Sequence, residues 1–239
     1  MIIVSIARGH NSSTTLMVDG EIIFYLEEER LTRSKYDGAP LAGLIKVFDY
    51  VDYIDHLVVC HTAPDNPILD WTGECIYDGL IRKLARGRFD YQTHNIALIH
   101  HELHAACGYF NSGFDTAACV IADGAGSFLS LNQEAEWVKN TLCKFIQKPV
   151  FEFETIFHVS DAGDFDTVYK HLGSSEAIGF NNPSPGFYVT EHPGLTKTYE
   201  AITQFCGFPA IEAGKLMGLA PYGKPNKDLP RFIDDNNHW

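Results

Sequence analysis

What this 239-residue chain lacks narrows the possibilities first. No run approaches the ~18 apolar residues that a membrane span requires, so no crossing is expected. The opening Met1-Ile2-Ile3-Val4-Ser5-Ile6 has no basic region before it and meets Arg8 two residues later. It reads as a buried strand rather than a secretory leader, and a cytoplasmic location is expected. The six cysteines, Cys60, Cys75, Cys107, Cys119, Cys143 and Cys206, form no CxxC pair and no dense framework. Reduced and mostly buried thiols are the reading that follows. Basic residues are scarce, 18 against 31 acidic, for a net charge of −13. Such a surface repels phosphate backbones and excludes a tight, sequence-independent grip on nucleic acid. There is no Walker A loop and no GxGxxG leading into a helix.

What is present reads as α/β. Apolar residues make up 45% of the chain, enough for a sizeable core. Ile2 to Ala7, Thr14 to Val18 and Glu21 to Leu26 read as strands, the last two joined by the hairpin signal Asp19-Gly20. Leu41 to Tyr50 reads as helix, His56 to Cys60 as a short buried strand, and residues 61–90 as loop with some helix. Ile99 to Gly108 is helical. Thr116 to Ala122 is a strand that runs into Asp123-Gly124-Ala125-Gly126 and a further strand from Ser127 to Leu131. This second strand–glycine turn–strand unit echoes the first, which suggests two related lobes, 1–115 and 116–239. Residues 132–149 read as a surface hairpin and residues 161–193 as loop. Leu195 to Cys206 reads as an amphipathic helix, with apolar positions at Leu195, Tyr199, Ile202 and Phe205 or Cys206 at near-helical spacing.

The segment His100-His101-Glu102-Leu103-His104 carries the most chemistry. Residues four apart share a helix face, so His100 and His104 can aim two imidazoles at one point. Imidazole suits zinc, iron, nickel or copper, and Asp123, at the tip of its strand, is the natural third ligand. Surface histidines on a solvated helix give the same text. The zinc-protease pattern HExxH is excluded, because Ala105 stands where its second histidine is needed. The glycine turns at Gly9 and at Gly124 and Gly126 can offer backbone N–H groups to a phosphate, or serve only as hairpins. His10, in the first turn, suits an acid, base or anion ligand, or is an exposed turn residue. Lys35 can meet a phosphate or carbonyl oxygen, or be solvated. Gly214-Lys215-Leu216-Met217-Gly218 permits close approach of a ligand or of another helix.

Taken together and in order, these motifs resemble a known family. Ile6-Ala7-Arg8-Gly9-His10-Asn11-Ser12-Ser13, Val18-Asp19-Gly20-Glu21-Ile22 and Glu28-Glu29-Arg30-Leu31-Thr32-Arg33-Ser34-Lys35 resemble the start of the nodulation-type and antibiotic-tailoring O-carbamoyltransferases. His100 to Ala106, Ile121 to Gly126 and the late Glu212 to Gly223, reading EAGKLMGLAPYG, follow the same family's order. The resemblance covers residues 1 to about 225.

That resemblance implies an actin, Hsp70 and sugar-kinase-like (ribonuclease H-like) two-lobe fold, with the second lobe incomplete, related to the tRNA threonylcarbamoyl transferases. It implies iron or zinc held by His100, His104 and Asp123. His10 and Lys35 would position or activate the reacting groups, and Gly124, Gly126, Gly214, Lys215 and Gly218 would line a nucleotide and phosphate site. ATP and carbamoyl phosphate would give carbamoyl-adenylate in a C-terminal domain that these residues do not include. The carbamoyl group would then pass to a small hydroxylated acceptor, such as a sugar, an aminoglycoside or a modified nucleotide. The chain is accordingly expected to need a separate C-terminal half or a dimer partner, and to have little complete activity alone. The alternatives are a non-catalytic metal- or nucleotide-binding remnant and a relative of the tRNA-modifying enzymes. The acidic charge argues against the latter.

Overall fold

The computed structural model describes residues 1–61, 75–96, 99–129, 150–174 and 194–228. They fall into two compact units, Met1–His100 and His101–Trp239. The division lies in the first turn of the histidine helix, which is therefore described with the second unit.

The first unit is built on a mixed five-stranded sheet. β1 (Ile2–Ala7) pairs antiparallel with β2 (Ser13–Val18), and β2 antiparallel with β3 (Glu21–Glu27). On its other side β1 pairs parallel with β4 (His56–Cys60), and β4 parallel with β5 (Gln92–Ile96). The order β3-β2-β1-β4-β5, with β2 reversed, is that of the ribonuclease H-like fold. Asp19 and Gly20 both take left-handed φ, 51° and 89°, as a two-residue hairpin demands. Alternation along the strands sends Val4, Ile6, Leu16, Leu57 and Val59 into one core, where they meet α2 (Leu41–Val47) and α3 (Ile76–Leu84). The stretch 61–90 thus contains a helix of about two and a half turns, α3, while residues 62–74 lie outside the described residues. β5 was not expected. Its residues Gln92 to Asn95 are polar and exposed, and the ladder to β4 alone makes it an edge strand.

A short helix, α1 (Glu28–Thr32), carries the buried Glu28. Its carboxylate accepts the N–H groups of Ala42 (2.6 Å) and Gly43 (2.8 Å), in the first turn of α2. Helix α2 has no side-chain cap of its own at Pro40, so Glu28 supplies the missing acceptor from another element. Gly43 permits this approach, because a Cβ there would stand 2.5 Å from the Thr14 hydroxyl oxygen. Glu28→Gln exchanges one accepting oxygen for a donor that faces an N–H. A loss of about 1–3 kcal/mol in chemical denaturation is expected. An unchanged midpoint would show that α2 needs no such cap.

The second unit centres on β8 (Val150–Val159), which pairs antiparallel with β6 (Ala117–Ala122), β7 (Phe128–Leu129) and β9 (Phe165–Ser174). β6 and β7 therefore join the sheet through β8 rather than as a hairpin, and the echo of the first unit does not extend to strand pairing. β9 occupies the first part of the stretch 161–193 read as loop, and residues 175–193 lie outside the described residues. So does the expected hairpin at 132–149. Ala105 and Tyr109 of α4 (His100–Ser112) pack with Phe157 and Val159 against Ala117, Cys119, Ile121 and Phe165.

Helix α5 (Leu195–Phe205) reverses the expected orientation. Leu195 and Phe205 are exposed, while Lys197 and Thr203 are buried. Polar bonds set this face. The Thr196 hydroxyl donates to the Asp123 carbonyl (2.6 Å), and Lys197 pairs with Glu200 (2.7 Å). The last described helix is α6 (Ala213–Leu219). The five described cysteines are free thiols, as expected, but Cys107 and Cys206 are exposed and the other three half-buried, where burial was expected. No helix of the described residues is long and apolar enough to cross a membrane.

Candidate metal centre

The histidine helix and the end of β6 converge. His100 and His104 lie one turn apart on α4, and Asp123 follows the last residue of β6. One ligand atom from each of the three lies within 4.8 Å of the others. The His104 Nε2 stands 3.9 Å from the Asp123 Oδ2. His104 is about half exposed and Asp123 less so, so the donors face accessible space. Two imidazoles and a carboxylate are a donor set that fits zinc or iron, with room for a further ligand.

The turn that carries Asp123 is fixed on every side. Its N–H donates to the Phe153 carbonyl (2.9 Å), and its own Oδ1 accepts the Gly124 N–H (2.7 Å). With the Thr196 hydroxyl on its carbonyl, the backbone of Asp123 is tied to β8 and to α5. His101, between the two candidate ligands in sequence, is fully buried and shares a hydrogen bond with the Thr155 hydroxyl (2.7 Å). It points inward because residue 101 lies about 100° around the helix from residue 100. Gly126 sits over this ring. A Cβ there would be 2.5 Å from the His101 Nε2 and 2.8 Å from a Glu152 oxygen. A Cβ at Gly124 would likewise stand 2.6 Å from the Glu200 carboxylate.

The remaining residues singled out in the sequence lie in two further places. In the first unit, the exposed His10 meets the Tyr36 ring edge-on at 6.4 Å, and its Nδ1 bonds to the Asn11 side-chain oxygen. The Lys35 ammonium lies 4.5 Å from the centre of the same tyrosine ring. His10 and Lys35 are thus neighbours through Tyr36. This depends on the segment after α1 folding back onto the first turn, where the Ser12 hydroxyl donates to the Asp37 carbonyl (2.6 Å). In the second unit, Gly214, Lys215 and Gly218 lie on α6. Both glycines are exposed with open space above them, and Lys215 pairs with Glu212 (2.6 Å).

A family model described as carbamoyltransferase N-terminus matches residues 72–236. The chain belongs to this family. The uncharacterized protein sll1178 of Synechocystis sp. is 26% identical over 249 residues, covering 90% of this chain and 34% of that protein. The chain thus spans about a third of the length of that curated relative. Among solved structures, YeaZ from Pseudomonas aeruginosa aligns at 13% identity with a TM-score of 0.34, covering 89% of this chain and 98% of that one. A ROK family protein from Streptococcus pneumoniae in complex with sucrose aligns at 12% identity with a TM-score of 0.41, covering 94% and 68%.

The second unit of this carbamoyltransferase N-terminal domain also holds polar residues that the sequence pattern did not single out. Glu152 is buried, accepts the Ser127 N–H (2.9 Å) and pairs with Lys170 (2.7 Å). Glu154 accepts the Leu195 N–H at the start of α5 (2.7 Å) and bonds to His171 (2.6 Å). One signal was available. Glu152 and Glu154 interrupt the apolar run Val150–Val159, and carboxylates in an apolar strand need partners; a bulge between them turns the two to different partners, Lys170 and His171, on successive residues of β9.

Proposed function

We propose that this chain is the metal-binding N-terminal part of an O-carbamoyltransferase that passes a carbamoyl group from carbamoyl-adenylate to a hydroxyl of a small acceptor. The observation that carries the reading is the convergence of His100, His104 and Asp123 in a member of the carbamoyltransferase N-terminus family. A metal held there would polarise the carbamoyl carbonyl and offset developing charge. The reaction joins the acceptor oxygen to the carbamoyl carbon, breaks the bond from that carbon to the adenylate phosphate oxygen, and releases AMP. The hydroxyl proton needs a base. His10 is the candidate. Its Nδ1 shares a hydrogen bond with the Asn11 side-chain oxygen, and a neutral ring that donates there would leave Nε2 to take the proton. Lys35, which lies over the same tyrosine ring, would supply positive charge for a phosphate or carbonyl oxygen. Gly124, Gly126, Gly214, Lys215 and Gly218 are assigned to the nucleotide and phosphate groups.

Supplying synthetic carbamoyl-adenylate removes the need for an adenylate-forming domain. The metal-loaded chain is then offered sugars, aminoglycosides and nucleosides, with carbamate formation read by mass spectrometry and AMP release by chromatography. Carbamate on one acceptor class, abolished by His10→Asn, is the expected result. Stoichiometric metal with no carbamate on any acceptor would favour a metal-binding remnant instead.

A further inference from the structure

The first unit holds a second pair of histidines that the metal centre does not use. His56, the first residue of β4, and His94, in the middle of β5, place the Nδ1 of one 3.1 Å from the Nε2 of the other. Their rings lie 5.2 Å apart between centres, tilted by 43°. The strand register explains the meeting. β4 and β5 run parallel with His56 opposite Gln92 and Val58 opposite His94, so the two histidines are diagonal neighbours on one face of the sheet. It is the face opposite the core, since Leu57 and Val59 point the other way into buried packing. Met1, Ile3, Val58 and Ile96 complete the walls of an open cavity of about 620 Å³ around the pair.

We propose that His56 and His94 bind a divalent transition-metal ion of the imidazole-preferring class, copper(II) most tightly. Two nitrogens at roughly 2.0 Å from one ion lie about 2.8 Å apart at a square-planar corner and about 3.3 Å apart in a tetrahedron. The observed 3.1 Å falls between these, so the separation hardly changes on binding, while each ring must turn to aim its lone pair at the ion instead of at the other ring. Both imidazoles stand on paired strands, which lowers the ordering cost of bringing two ligands to one ion. The net charge of −13 favours any cation over the free protein. The remaining positions on the ion open into the cavity, where water or the Met1 thioether can fill them. Copper(II) stands at the top of the divalent affinity order for nitrogen donors, and this selects it as the probe.

The test uses the tag-free full chain carrying His100→Ala and His104→Ala, which silences the first centre. Titration with copper(II) is followed by calorimetry and by electron paramagnetic resonance. One equivalent is expected to bind, with coupling to two imidazole nitrogens. His94→Ala and His56→Ala should each weaken binding about tenfold or more, since even loss of a residue that only supports a ligand costs that much, and each should remove one nitrogen coupling. Neither histidine is buried, so circular dichroism should show both variants folded. No stoichiometric copper, or a copper signal unchanged by His94→Ala, would overturn the proposal and leave the pair as two neutral rings sharing one hydrogen bond. Neither result bears on the first centre, which is absent from the protein tested.

Discussion

Replacing His100 and His104 together by alanine is expected to abolish metal binding while leaving the fold intact, whereas replacing the buried His101 is expected chiefly to lower stability. All three stand within five residues on one helix, and the Nε2 atoms of His101 and His104 are both 3.9 Å from the Asp123 Oδ2, yet their burial differs. His104 is about half exposed and shares a 4.8 Å cluster with His100 and Asp123. Removing two of three donors leaves a lone carboxylate, and near-stoichiometric zinc or iron should fall below about a tenth of an equivalent by elemental analysis. If the metal acts in transfer, the rate should drop on the order of 100-fold or more. The apo double variant should melt close to apo wild type, because alanine is the better helix former. Comparing apo forms matters, since bound metal raises the melting temperature by mass action. His101, in contrast, is fully buried and bonded to Thr155, so His101→Ala opens a cavity and strands a hydroxyl at a cost of about 2–4 kcal/mol. Metal retained in the double variant would remove the basis of the proposed centre.

That contrast also marks how far the residues could be read without coordinates. The spacing of His100 and His104 and the strand preceding Asp123 are local features, and helix and strand periodicity suffice to bring the three side chains toward one point. The first sheet was similarly legible in β1 to β4, where β-branched runs and the Asp19-Gly20 turn state both strand and connection. β5 was not, because Gln92-Thr93-His94-Asn95 carries no apolar alternation and is a strand only by virtue of its neighbour. The face of α5 was misjudged for a related reason. An apolar stripe at Leu195, Tyr199, Ile202 and Phe205 predicts burial only when nothing polar competes. Here Thr196, Lys197 and Glu200 find partners at the Asp123 turn and within the helix, and their bonds select the opposite face. Long-range pairings of this kind leave no local trace. The same holds for His10 and Lys35, 25 residues apart, which become neighbours only because the chain after α1 returns to Tyr36 and Asp37.

Gly126→Ala should be among the most destabilising single-methyl changes in the second unit, although nothing in the text of Asp123-Gly124-Ala125-Gly126 separates its two glycines. Gly126 does not owe its place to a left-handed backbone; its φ is not among the positive values. It owes it to close approach. An added Cβ would stand 2.5 and 2.6 Å from two atoms of the His101 ring and 2.8 Å from a Glu152 oxygen. Neither neighbour can give way cheaply. The ring is fully buried and bonded to Thr155, while the carboxylate is buried, holds the Ser127 N–H and pairs with Lys170. Overpacking of this sort costs about 1–3 kcal/mol and occasionally more, and in a protein of this size each kcal/mol lowers the melting temperature by about 2–4 °C. Relief by moving His101 would turn α4 and carry His104 with it, so weaker metal binding should accompany the lower melting point. Gly124→Ala meets only the end of the Glu200 side chain, which can rotate with Lys197, and its cost should be smaller. Gly218→Ala has open space above it in the last turn of its helix, where alanine gains at most about 1 kcal/mol over glycine. The expected order of melting temperatures is therefore Gly126→Ala lowest, then Gly124→Ala, with Gly218→Ala at or above wild type. If Gly126→Ala melted with wild type, the glycine would not be needed for the approach of His101 and Glu152, and its place in the turn would have to rest on contact with a ligand instead.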